Sequence, residues 1–230
     1  MSDYTISINS LAEYLEASDA RKKSILKEQI KVNEFKAQWY QLAKARIKKS
    51  IQLSGDLKPV NNGIKVLNDK SPLTKQKKSD KECSIEALKN FKKMVLPTLI
   101  QENEIETINE KWKQLTIYGV IVKMKPTLVF KMKINGKTHV GACQVHISKR
   151  KPFNNVQSKL VSTLLFQYVS NHIAGEGEIP NNELCFCVDP FAGTTINAFS
   201  NISLDMKKIK KICLDMQKVW KQALKEMKAA

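Results

Sequence analysis

Between residues 116 and 147 apolar and polar positions alternate with a period of two. This spacing predicts three consecutive strands, 116–123, 127–134 and 138–147. The second joins the third through Asn135-Gly136, the pair favoured in a two-residue type I′ hairpin because both central residues need positive φ. That turn sets the register: Ile134 faces Lys137, Phe130 faces Gly141, Leu128 faces Cys143 and Thr127 faces Gln144. Directly opposed residues share a face. One face then carries Leu128, Phe130, Met132 and Ile134 with Cys143, Val145 and Ile147, and belongs in a core. The other carries Lys125, Thr127, Val129, Lys131 and Lys133 with Val140, Ala142, Gln144 and His146. It is apolar in the middle and polar where Thr127, Gln144 and His146 meet, and that end is the candidate site.

The rest of the chain reads mainly at helical spacing. A short strand is expected over 4–8, then a short helix capped by Asn9 or Ser10, and a second helix from Ser18 or Asp19 to Ile30. A longer helix is expected from Asn33 to about Leu53, with Phe35, Trp39, Leu42, Ala43, Ile47 and Ile51 on one side and Gly55 as its C-terminal cap. Residues 57–84 hold Pro59, Asn61-Asn62-Gly63, Ser71-Pro72 and a lysine run, and read as an exposed linker with one helical turn near 63–67. Ser84 is expected to begin a helix that Pro97 breaks, with a second helical piece to about Trp112. After the strands, Asn154 or Asn155 caps a helix ended by Gly175-Glu-Gly177. A buried strand over 183–188 and a short strand over 194–199 follow, then a helix from Ser203 with Met206, Ile209, Cys213, Met216, Trp220, Ala223 and Met227 on one stripe. The expected fold is α/β (α+β). A mixed central sheet in a domain over 84–230 carries a helical region over 1–54, a linker over 55–83 and a long C-terminal helix. The helix-bearing crossover between Ile147 and Glu183 should be right-handed and bring the following strand parallel to a neighbour.

Composition narrows the partners. With 230 residues and 42% hydrophobic content the chain has enough apolar material for a core, which excludes a disordered basic tail. No run is long and apolar enough to span a bilayer and the start lacks a secretory pattern, so the expected compartment is the cytoplasm. Five scattered cysteines are then small buried hydrophobes. A net charge of +17 argues for a polyanionic partner. Residues 111–175 contain no Asp or Glu, so the positive field is expected on the sheet and the loop after it. Lys125, Lys131, Lys133, Lys149, Arg150, Lys151 and Lys159 are the candidate nucleic-acid contacts. Lys149, Arg150 and Lys151 leave the third strand directly before a helix N-terminus, an arrangement that suits a phosphate.

From residue 84 the order helix, three strands, helix, strand resembles the core of the PD-(D/E)XK nuclease superfamily, over 84–188. That family keeps an acid at the start of the second strand and a (D/E)-X-K set on the third. The matching positions are Thr127, after Pro126, and Gln144-Val145-His146. Gln replaces the first acid of the third-strand motif in some members, but nothing replaces the second-strand acid. A hard divalent cation needs carboxylate oxygens, and hydrolysis needs that cation. The resemblance therefore implies a degenerate, non-catalytic nuclease-like protein that binds nucleic acid without metal or other cofactor, as a subunit of a bacterial assembly for DNA processing or phage defence. Two rivals are an adaptor that docks a protein through the Trp39 helix or the C-terminal helix, and an active nuclease that draws acids from elsewhere, such as Asp189 or Glu102. A lone His on a half-buried strand is more often a hydrogen-bonded structural residue than a base. Cys185-X-Cys187 has no second pair to complete a metal site.

Overall fold

The computed structural model describes residues 4–30, 39–72, 74–109, 114–198 and 201–229, with side chains up to 227. The fold is α/β, built on a five-stranded and a three-stranded mixed sheet. The expected hairpin is present: β5 (Leu128–Ile134) and β6 (Lys137–Val145) pair antiparallel from Ile134↔Lys137 to Leu128↔Cys143. Asn135 and Gly136 have φ of 50° and 77°, as the I′ turn requires. The crossover from β6 through α7 (Asn155–His172) returns as β7 (Ile179–Asp189), parallel to β6. A tight turn then leads into β8 (Thr194–Asn197). On the far side of β5 lies β2 (Glu106–Thr107), giving the order β2-β5-β6-β7-β8.

The first expected strand is a correction. It is two strands, β3 (Gln114–Ile117) and β4 (Val120–Lys123), turned at Tyr118-Gly119 with φ of 47° and 76°. With β1 (Tyr4–Ser7), which runs parallel to β4, they form the separate three-stranded sheet. The physical signal is parity. The buried positions are 115 and 117, then 120 and 122, and a single strand cannot change from odd to even without a turn.

Each face of the five-stranded sheet is covered. Leu128, Phe130, Met132, Cys143 and Val145 join Leu184, Phe186 and Val188 in one core. Over it pack α3 (Gln41–Gln52), α4 (Lys58–Asn68), α5 (Lys75–Phe91) and α6 (Thr98–Glu102). Val140, Ala142, Cys185 and Cys187 form the other core with α7, α1 (Ile8–Leu15), α2 (Asp19–Ile30), the small sheet and α8 (Ile202–Ala229). The described residues of the 1–54 region are thus divided between the two cores. At Gly141 an added Cβ would run into the Leu184 side chain and lie 2.5 Å from its carbonyl oxygen, so only glycine lets β7 approach there.

The segment expected as a linker forms α4 and most of α5. Pro59 sits in the first turn of α4, where its missing N–H has no helical partner to lose. The lysine run is the wet side of α5, capped by Thr74, whose hydroxyl accepts the Lys77 N–H at 3.2 Å. Ser84, expected as a cap, is instead buried within α5. Helix α3 starts at Gln41, behind Tyr40 with φ 62°, and not at Asn33, which lies outside the described residues with Phe35, Trp112 and Phe199. Ser7, not Asn9 or Ser10, caps α1. The helical piece after Pro97 ends at Glu102. The stripe on α8 is as expected, with Ile209, Cys213, Met216, Trp220 and Ala223 buried.

Candidate functional site

β6 and β7 are parallel, so their carboxyl ends lie side by side. The His146 N–H donates to the Val188 carbonyl at 2.9 Å. The start of α7 and the β7–β8 turn meet the same corner. Thr127, Gln144 and His146 lie where the register expectation puts them, and each is committed locally. Thr127 Oγ1 accepts the Val145 N–H at 3.0 Å and its own N–H donates to the Cys143 carbonyl at 2.9 Å, extending the ladder. Gln144, 2% exposed, donates through Nε2 to Asn9 Oδ1 of α1 at 3.2 Å. Its Oε1 has no partner among the described residues.

His146 is 7% exposed and its ring stacks on Phe153 at 3.5 Å between centroids, 3° from parallel. Its Nε2 lies 3.0 Å from the Lys151 carbonyl, which assigns the proton to Nε2 in the neutral ring. Burial pushes the imidazole pKa below its ordinary value. The Lys151 carbonyl, Asp189 and Glu13 act the other way, while Lys44 of α3 adds to the lowering. Lys44 is itself half-buried, with its pKa lowered by burial. No pattern in the sequence singles it out among the lysines of α3.

An acid from a distant segment does reach the corner. Asp189 is fully buried, with Oδ2 4.0 Å from His146 Nε2. Its oxygens are spent on the backbone. Oδ2 accepts the Phe153 N–H at 2.7 Å, and Oδ1 accepts those of Phe191 and Ala192 at 2.9 and 3.0 Å. This carboxylate pins both the β7–β8 turn and the approach to α7. The first turn of α7 is closed as well. Asn154 Oδ1 accepts the Gln157 N–H at 2.9 Å, and Gln157 Oε1 accepts the Asn154 N–H at 3.0 Å. The positive end of α7 therefore already has an anion and a capping box from its own chain. Glu102, the other acid considered, is exposed at the end of α6. Among the described residues no three His, Cys, Asp or Glu side chains cluster as metal ligands. Burial pushes the Cys185 and Cys187 thiols up to about 12, as befits inert core residues.

The seven basic candidates do not form one patch. Lys131 and Lys133 lie towards the hairpin tip, about 14 and 20 Å of strand from Thr127 at ~3.4 Å per residue. Lys125 precedes β5, and Lys149, Arg150 and Lys151 follow β6, so these four belong to the corner end. Among the described residues, carboxylates from outside the acid-free window pair with Lys131, Lys149, Lys151 and Lys159. Lys149 pairs with Glu86 of α5 at 2.5 Å, Lys151 with Glu13 of α1 at 3.3 Å and Lys159 with Asp205 of α8 at 3.2 Å. Lys131 lies 3.4 Å from Glu106 and 3.9 Å from Glu178. Arg150 and Lys133 are exposed. The protein-docking features are also redistributed: the apolar stripe of α8 is used in its own core, and Trp39, 40% exposed, stands in the turn before α3.

No family model matches the chain, and no curated protein matches its sequence. No described helix is long and apolar enough to cross a membrane.

Proposed function

We propose that the chain binds nucleic acid through its phosphate backbone and has no metal-dependent cleavage of its own. The observation that carries this reading is the charge excess, +17 over 230 residues, on a fold where carboxylates such as Glu86, Asp205, Asp215 and Glu226 are engaged in internal ion pairs. Each carboxylate offsets one positive charge however many cations it touches, so pairing leaves the excess untouched and the surplus resides on outward-facing lysines. Such a surface attracts phosphates and releases their counterions, with non-specific dissociation constants of about 10⁻⁴–10⁻⁶ M at physiological salt.

The non-catalytic half of the proposal draws on the corner. Thr127 and Gln144 offer neutral oxygens, and the Asp189 carboxylate already accepts three backbone N–H groups. In the chain α6 is followed by β2, β3, β4, β5, β6, α7 and β7. With β3 and β4 set apart in the small sheet, the five-stranded sheet keeps a helix, three strands, helix, strand order in which β2 stands where the 116–123 segment was expected, and this supports the reading.

The test is fluorescence anisotropy with labelled duplex DNA, duplex RNA and single strands at 50 and 200 mM salt, with and without Mg²⁺. Binding that falls steeply with salt and leaves the nucleic acid intact is expected. Absence of binding at 50 mM, or cleavage that is lost on changing Gln144 or Asp189, would overturn the proposal.

A further inference from the structure

Helix α8 runs for 28 residues with one side in the core. Opposite that side stand Lys207, Lys211, Lys218, Lys221 and Lys225, all exposed. At 3.6 residues per turn these positions fall within an arc of about 80°, and at 1.5 Å per residue the row is about 27 Å long. Leu214, also exposed, sits in its middle.

None of the five lysines meets a carboxylate among the described residues, because the helix's own acids are turned elsewhere. Asp205 faces inward and pairs with Lys159 at 3.2 Å. Asp215 accepts from Lys22 at 3.1 Å and Tyr14 at 2.9 Å. Glu226 holds Lys23 at 2.7 Å and Lys27 at 2.8 Å. The row is thus bounded by α2 on one side, where charges cancel. On the other side is the β3–β4 turn, where Lys210 lies 5.2 Å from the Tyr118 ring centroid and Gln217 donates to the Tyr118 carbonyl at 2.5 Å.

Like charges three and four residues apart on a helix repel. The pairs Lys207/Lys211, Lys218/Lys221 and Lys221/Lys225 have that spacing, and none of these lysines forms a hydrogen bond or ion pair with a described residue. A polyanion lying along the row would relieve the repulsion.

Resting on the nucleic-acid reading above, we infer that the outward face of α8 is the surface that lies along the phosphate backbone of a nucleic-acid duplex. The row is straight and covers the axial rise of about eight base pairs at ~3.4 Å each. Its contacts are to phosphate and carry no base preference. The basic loop after β6, with Lys149 and Lys151 already paired to carboxylates, is not the main contact.

The test compares the full chain with two charge-matched variants. In one, Lys207, Lys211, Lys218, Lys221 and Lys225 become Gln, a good helix former. In the other, Lys65, Lys75, Lys78, Lys89 and Lys93, exposed on the α4–α5 side, become Gln. Circular dichroism checks that each keeps its helix content. Binding of a 20-base-pair duplex is followed by anisotropy between 50 and 200 mM salt. If all five lysines contact phosphates, the slope of log K against log salt falls by about 4.5 in the α8 variant. The parent then loses several hundredfold more affinity over that range than the variant does. The α4–α5 variant keeps most of the parental slope.

Equal losses in both variants, or no loss in the α8 variant while the parent binds, would overturn the inference and leave the nucleic-acid reading standing. If the parent binds no nucleic acid but sediments with phosphatidylserine vesicles, both fall. If it binds neither, both fall as well.

Discussion

Replacing Asp189 separates a structural carboxylate from a catalytic one. In Asp189→Asn the side-chain oxygen can still accept from Phe191 and Ala192, but an NH₂ group takes the place of Oδ2 and faces the Phe153 N–H at 2.7 Å. A hydrogen bond to a charged acceptor contributes about 1.5–3 kcal/mol, and a buried donor left without a partner costs about 1–3 kcal/mol. These overlap for one site, so Asp189→Asn should cost about 2–3 kcal/mol. In Asp189→Ala all three donors lose their acceptor. Those of Phe191 and Ala192 are only partly buried and can turn to water at about 1 kcal/mol each, which brings the cost to about 4–5 kcal/mol. Urea denaturation measures both, since a lowered midpoint at constant m reports stability alone. A loss under about 1 kcal/mol for Asp189→Asn would refute the anchoring role. So would a variant of parental stability that has lost Mg²⁺-dependent cleavage, because the carboxylate would then be holding a metal.

Two further outcomes follow from the same corner. The His146 imidazole has its pKa lowered by burial, so the unfolded chain binds more protons than the folded one just below the ordinary value of 6.5. Its contribution to stability is full above about pH 6.5 and is lost as pH falls towards the folded value. The pH slope of the urea midpoint between 5 and 7 should shrink in His146→Phe, and an unchanged slope would show that another group titrates. Gly141→Ala should cost about 3 kcal/mol or more, because the added methyl meets β7 backbone that no rotamer change can move. Near-neutral stability of that variant by thermal denaturation would mean that β6 and β7 do not approach as described.

Expectation and structure part at identifiable residues. The β5–β6 register was legible because Asn135-Gly136 specifies the turn and the period-two pattern tolerates no slip of one residue. The capping of α7 by Asn154 was legible for the same kind of local reason. The helices over 57–84 were obscured because Pro59 and the lysine run look like linker when burial is unknown. One is a first-turn proline, the other a solvated helix face. The Tyr118-Gly119 turn was obscured because alternation on either side reads as one strand unless parity is tracked.

The candidate site shows the same limit in charge. Residues 111–175 contain no acid, yet Glu13, Glu86, Glu106, Glu178 and Asp205 reach its lysines from outside. By itself the sequence determined the hairpin, the α7 cap, the buried stripe of α8 and the size of the charge excess. These depend on residues a few positions apart or on composition. Only the tertiary structure decided which lysines keep an unbalanced charge, and that Asp189 would stand beside His146 and serve the backbone. Ion pairing and desolvation act over a few ångströms in space, whatever the separation along the chain.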